Sequence, residues 1–267
     1  MFAPLAGLTF EKLLGRGSSF EVALVRAPSG EPLVAKRLLP GLVGNPDARR
    51  ALDREAAVLE ALHHPALPRL VASGTDEVGR YVLEAFIEGS SLADRALPDA
   101  TLGHAAASLM AELQTLSDER GPFDFVHGDL HPAHFVRTTG AARAAAPLAL
   151  VDFGASTLRG APPSAGRGTM PFAAPELCRG ETVPTQATDR YVLAVVLARI
   201  LSGGAQLWRA SNEPGLLLEI GERGHDLSAL SVLPVRVRSA LEAHLAFDPE
   251  QRPEDLSDLV RALETRG

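Results

Sequence analysis

Lysine is nearly missing from this chain: among 26 basic residues only Lys12 and Lys36 carry an ammonium, and the rest are arginine. A sequence that uses arginine for ordinary solvated cations reserves lysine for places that need a compact point charge, such as the side of a phosphate in a crowded cleft. Asparagine is equally sparse, at Asn45 and Asn212. The single cysteine, Cys178, excludes an internal disulfide and fits a reducing compartment, with a buried structural thiol expected. No long hydrophobic run is present. The longest, around Val192 to Ile200, falls far short of the roughly 20 residues of a bilayer span. Met1 to Phe10 has no charged leader, so neither membrane insertion nor secretion is expected, and the expected location is cytoplasmic. A net charge of −7 also lacks the basic excess that a general nucleic-acid binder needs.

What is present is ordinary for a folded protein, with 46% hydrophobic and 22% charged residues. At 267 residues, one large core or two lobes sharing a cleft is expected. The opening is β-rich, with apolar-alternating runs at Leu8 to Gly15, Glu21 to Arg26 and Pro32 to Leu38, separated by glycine and proline turns. Asn45-Pro46 supplies an N-cap and a first-turn proline for a helix reaching about His63, with the stripe Leu52, Ala56, Leu59 and Leu62. Another strand is expected from Arg80 to Ile87. The pattern then turns helical, with Leu102, Leu109, Leu113 and Leu116 in one segment and a helix apolar all round from Arg190 to Leu201, closed by Gly203-Gly204. Arg137 to Pro147 is an Ala-rich connection of weak pattern. The expected class is α+β: residues 1–87 form a small, mainly antiparallel β lobe with one helix, and residues 88–267 a larger, mainly α lobe.

Several residues bear on chemistry. Gly15 and Gly17 sit in a turn between two strands, where backbone N–H groups can approach phosphate oxygens, although a plain hairpin explains two glycines as well. Val34-Ala35-Lys36 sets the scarce lysine on the next strand. Glu55 shares the inward stripe of the helix, where a bare carboxylate is costly, so it should meet a cation, and Lys36 is the candidate. Further on, Val126-His127-Gly128-Asp129-Leu130-His131-Pro132 and the apolar strand Leu148 to Val151 ending in Asp152-Phe153-Gly154 each deliver an aspartate. Phosphoryl transfer needs such a pair, one carboxylate for the attacking hydroxyl and one for magnesium, while structural turn aspartates remain the alternative for each alone.

Taken in order, these motifs resemble the protein-kinase catalytic domain of the eukaryotic-like Ser/Thr class found in bacteria. The resemblance extends through Arg54-Glu55, His64-Pro65, Leu83-Glu84-Ala85-Phe86, Gly168 to Glu176, Asp189 and Asp248 to Pro253. It implies a two-lobed kinase fold and the use of ATP with Mg2+ or Mn2+. It places the loop residues Gly15, Gly17 and Val22, together with Ala35, around the nucleotide, and Lys36 on its phosphates, locked by Glu55. The stretch holding Glu84 and Phe86 would be a hinge that grips adenine by its backbone. It makes Asp129 the catalytic base and Asp152 the principal metal ligand. Thr169 favours serine or threonine as acceptor, Glu176 pairs with Arg252 beneath the substrate platform, and Asp189 braces the catalytic loop. The implied partner is a protein substrate or regulatory protein.

Three positions depart from the family pattern. His134 stands where the family has a metal-binding asparagine, and nitrogen is a poor donor for Mg2+. Gly128 replaces the arginine that pairs with a phosphorylated activation segment, so switching through that pair is not expected. Phe20 stands where the last loop glycine would be. A metal cluster of His127, His131 and His134 with Asp129 is not expected, because Gly128 and Pro132 prevent a common helix face. The competing functional readings are a nucleotide-binding scaffold without turnover and a small-molecule kinase of the aminoglycoside-phosphotransferase type, which has a similar His-Gly-Asp-Leu loop.

Overall fold

The computed structural model describes residues 5–94, 98–140, 142–162, 164, 168–180 and 183–264; Met1 to Pro4, the head of the uncharged opening, lie outside them. In chain order the strands are β1 (Thr9–Arg16), β2 (Phe20–Arg26), β3 (Pro32–Leu38), β4 (Leu70–Thr75), β5 (Arg80–Ala85), β6 (Gly89–Ser91), β7 (Ser117–Asp118), β8 (Gly121–Pro122), β9 (Phe135–Thr138) and β10 (Leu148–Leu150). The helices are α1 (Pro46–Ala61), α2 (Ala100–Thr115), α3 (Ala142–Ala145), α4 (Pro175–Cys178), α5 (Gln186–Leu201), α6 (Glu213–Arg223), α7 (Val235–His244) and α8 (Ser257–Leu263). The chain divides into two compact units, Met1–Glu88 with Thr138–Ala155, and Gly89–Arg137 with Ser156–Gly267.

In the first unit five strands form an antiparallel sheet in the order β1-β2-β3-β5-β4. Side chains alternate across a strand, so each face gathers every second residue. One face buries Ala23, Val25, Leu33, Ala35 and Leu83 with Leu5. The other sets Leu38 and Val82 against Leu52 and Ala56 of α1. The helix begins where the sequence places it: Asn45 accepts from the N–H groups of Asp47 and Ala48 at 2.9 and 3.0 Å, and Pro46 needs no partner there. It stops at Ala61, two residues before His63. Strand β4 carries no strong sequence signal. Its Leu-Val-Ala-Ser-Gly-Thr run is weakly β-forming, and Gly74 is required because a Cβ there would lie 2.8 Å from the Tyr81 hydroxyl. Residues 138–155, assigned to the later lobe on sequence, pack with this unit: Thr139 N–H donates to Glu88 O and Leu150 N–H to Ala66 O, each at 2.9 Å. The Ala-rich connection forms a single helical turn, α3, between β9 and β10.

The second unit is mainly helical. Its centre is α5, in which Thr188 to Ala198 are all buried, as an all-round apolar pattern requires. Thr185 and Thr188 close its start with reciprocal bonds, and Gly203 and Gly204, at φ 74° and 96°, turn its end. Helix α2 packs on α5 and α8, and α7 on α8. The family-implied ion pair is present here. Arg252 forks onto Glu176 with both bonds at 2.8 Å, Thr188 Oγ1 donates to the same carboxylate, and the guanidinium lies 4.5 Å from the Tyr191 ring centre. Both partners are buried. Burial pushes the Glu176 carboxyl up, but the Arg252 bonds and charge outweigh it and hold it below the usual range. Cys178, at the end of α4, is half-buried rather than buried.

Truncating one member of such a pair strands a buried charge, so Arg252→Ala should cost about 3–5 kcal/mol. Urea unfolding followed by the fluorescence of Trp208, the one tryptophan and a member of the same unit, measures this. A loss below about 1 kcal/mol, the size of an exposed pair, would contradict it.

Candidate functional site

In the first unit the site is built on β3. Lys36 stands opposite Val22 of β2 and Val82 of β5, so it leaves the sheet on the face that α1 covers. Only 5% of it is exposed. Its Nζ bonds directly to Glu55 Oε1 and lies 3.6 Å from Glu84 Oε1. The expected partner of Glu55 is therefore Lys36. Glu55 Oε1 also accepts the Phe153 N–H at 3.2 Å, and the neighbouring Arg54 Nε donates to Gly154 O at 2.9 Å. Helix α1 thus fastens the lysine and the Asp152-Phe153-Gly154 turn together. Asp152 itself is left-handed, at φ 70°, a conformation that costs a non-glycine residue about 1 kcal/mol or more and is held here by these bonds and by buried Phe153.

The electrostatics follow from one ammonium among three carboxylates. Burial works to lower the Lys36 pKa, but Asp152, Glu55 and Glu84 together outweigh it and hold the ammonium above its ordinary range. Burial pushes Glu55 up, opposed by Lys36 and by the bonds from Lys36 and Phe153. Burial also pushes Glu84 up, to about 8, with Lys36 opposing and the other carboxylates adding to the rise. Both glutamates cannot be fully ionised around one cation. Glu55 holds the direct bonds from Lys36 and Phe153, so the upward push of burial is opposed more fully at Glu55 than at Glu84.

Two expectations need correcting. Ala35 does not share the lysine's face: it is buried with Ala23, Val25 and Leu33 on the opposite side of the sheet, because neighbouring residues in a strand point oppositely. Val34, two residues from Lys36, occupies the lysine's face, and the strand period was the signal that finds it. Glu84 lies within the sheet, paired with both Val34 and Leu70, and enters the site through its carboxyl group rather than its backbone. Phe86 follows the end of β5 and is half-buried, with its N–H donating to Pro32 O at 3.3 Å. Gly15 pairs with Val22 across the turn, and Gly17 N–H donates to Phe20 O at 2.9 Å. A Cβ at either glycine would meet no protein atom within 4 Å, so packing within the chain does not demand glycine at these positions.

The second unit holds the His127 to His134 loop. Asp189, at the first turn of α5, accepts the N–H groups of His127 and Gly128 at 2.5 and 3.0 Å, the bracing that the resemblance implies. Burial pushes Asp189 up to about 7 against these two donors. Gly128 is left-handed at φ 79°, a conformation that glycine adopts without strain, and is buried. Ser156 is buried and donates to His127 O at 3.0 Å, so it is a structural hydroxyl and not an exposed modification site. Thr169 is half-buried, and its carbonyl accepts the Phe172 N–H at 2.8 Å. The expectation that the loop histidines stay apart fails in part: Asp129, His131 and His134 bring one ligand atom each within 4.8 Å of one another. A helix face was the wrong test, since a loop closed by the short helical turn Pro132–His134 gathers them equally well.

Comparison with known proteins agrees with this frame. Residues 8–261 match the protein kinase domain family, and the chain belongs to that family. It is 25% identical, over 94% of its length, to a protein of Streptomyces coelicolor named a probable serine/threonine-protein kinase, and 30% identical, over 72% of its length, to the serine/threonine-protein kinase PknB of Mycolicibacterium smegmatis. These matches span 36% and 32% of those proteins. The PknI kinase domain of Mycobacterium tuberculosis superposes with a TM-score of 0.68 at 24% identity, covering 98% of this chain and 96% of that one. The fold is protein-kinase-like, with an antiparallel sheet in the first part and helices mainly in the later part. Among the described residues no helix is long and apolar enough to cross a membrane.

A carboxyl raised from 4.5 to about 8 means that the folded chain holds a proton the unfolded chain has lost, so stability falls as pH rises through that window. Glu84→Gln should remove this slope. Between pH 5 and 8 the variant should gain about 1–3 kcal/mol on the wild type in urea unfolding, and parallel stability profiles would show Glu84 to be ionised throughout.

Proposed function

We propose that the chain transfers the γ-phosphoryl group of ATP to serine or threonine hydroxyls of a protein, in the cytoplasm. The observation that carries this reading is the bond from Lys36 to Glu55, whose same oxygen accepts from Phe153 of the aspartate turn. It supports a role in which the rare lysine meets the α- and β-phosphates while Glu55 fixes its position. Asp152 offers hard carboxylate oxygen and fits a divalent ion such as Mg2+ or Mn2+, whereas the imidazole of His134 does not suit Mg2+. Bound there, the ion would neutralise phosphate charge. Asp129, presented by the loop that Asp189 holds, orients the acceptor hydroxyl and takes its proton. Gly15 and Gly17 leave open backbone for the phosphates, and Val22 and Val34 supply apolar surface on the lysine's face. Thr169 and the Glu176–Arg252 pair belong to the protein-substrate platform, which disfavours a small-molecule acceptor. Gly128 implies that activity does not wait for phosphorylation of the activation segment.

One observation favours a second reading. His134, in place of an oxygen-bearing side chain, fits a chain that binds nucleotide and signals by shape without turnover. Labelled-ATP transfer with Mg2+ or Mn2+, by autophosphorylation or to a generic basic protein, separates the two. The wild type should form phosphoserine or phosphothreonine, Asp129→Asn should lose about 10²–10⁴-fold in rate, and His134→Asn should gain activity with Mg2+. ATP binding without transfer in both wild type and His134→Asn would establish the scaffold reading.

A further inference from the structure

The loop that carries Asp129 has a second chemical character. Asp129, His131 and His134 each present a ligand atom within 4.8 Å of the other two, none of the three is exposed, and all three lie in one compact unit. His134 Nδ1 lies 2.9 Å from the Asp129 carbonyl oxygen, and a carbonyl only accepts, so the proton of the neutral ring sits on Nδ1 and the lone pair on Nε2. A backbone carbonyl fixing one imidazole nitrogen so that the other can ligate is the usual second-sphere arrangement of metal-binding histidines. The His131 ring centre lies 3.7 Å from that of His134, tilted by 42°. His131 Nδ1 accepts a long bond, 3.3 Å, from Ala133 N–H.

We propose that Asp129, His131 and His134 form a site for a borderline divalent transition metal of the Zn2+ type. Two imidazoles and a carboxylate are a donor set for such an ion, leave a coordination position open, and discriminate against Mg2+, which selects oxygen. Metal–ligand bonds of roughly 2.0–2.2 Å set tetrahedral donors about 3.4 Å apart, within small side-chain movements of donors that already lie within 4.8 Å of one another. His127 is not part of the set: it is fully buried, and its backbone is fastened to Asp189. Occupation would take the Asp129 carboxylate away from any acceptor hydroxyl, so the metal acts as an inhibitor. That consequence rests on the function proposed above, whereas the binding does not.

The test uses the full chain, stripped with chelator, and two readouts that need no turnover. Titration of Zn2+ against a chromophoric chelator should give one bound ion per chain, undiminished by excess Mg2+. Co2+ should give the visible absorption of a nitrogen- and oxygen-ligated ion. His131→Ala and His134→Asn should each weaken binding about 10–100-fold or more, while Cys178→Ser leaves it unchanged. If either histidine variant fails to fold, the wild-type cobalt spectrum still decides: no d–d bands, or bands displaced by excess Mg2+, overturns the proposal, as does Zn2+ binding that survives both variants. Should the chain transfer phosphate, added Zn2+ should suppress transfer and chelator restore it, with His134→Asn resistant. Zn2+ binding without any effect on measurable transfer would overturn the inhibitory role while leaving the site, and absence of transfer would bear on the function alone.

Discussion

One ammonium surrounded by three carboxylates sets the terms for the first unit. Lys36 is too deeply buried to stand alone as a charge, and Glu55 by itself would neutralise it. The chain adds Glu84 at 3.6 Å and Asp152 within electrostatic reach, so the cluster carries excess negative charge unless a proton or another cation joins it. A proton on Glu84 relieves part of that excess. A divalent ion at Asp152 would relieve more.

The same cluster explains why α1 matters. Its N-cap and leucine stripe are ordinary helix physics, but residues 54 and 55 also reach two successive residues of the aspartate turn, at Phe153 N and Gly154 O. Moving the helix would release the lysine and relax the strained Asp152 backbone together. Coupling of this kind needs no long pathway. Two adjacent side chains on one helix are enough, and any ligand that stabilises the turn also stabilises the helix by the same free energy.

Much of this was legible in the residues. Scarcity identified Lys36, the helical stripe demanded a cation for Glu55, and Asn45-Pro46 fixed the helix start within a residue. Motif order carried the family, and with it the Glu176–Arg252 pair, which no local pattern links across 76 positions. The errors had physical causes. Ala35, which the resemblance set at the nucleotide, lies on the face opposite Lys36 by the two-residue period of a strand. Glu84, placed by the resemblance in a hinge acting through its backbone, turns its carboxyl to Lys36, which only the sheet register shows. Strand β4 was passed over because its residues form β-structure through pairing with β5 rather than by preference. The histidines of the Asp129 loop were judged by a helical criterion that a loop need not obey.

These histidines change what the two units can hold. In the first, every side-chain donor beside Lys36 is a carboxylate oxygen, whereas the Asp129 loop offers two imidazoles for one carboxylate. Affinity for divalent ions rises along the first transition row whatever the protein intends, so a chain cannot sort metals by tightness alone; it sorts them by donor. Oxygen-only surroundings suit Mg2+ or Mn2+, and nitrogen-rich ones suit Zn2+ and its neighbours. On the site proposed above, the loop presents nitrogen donors, which suit a different cation from the one that oxygen donors select.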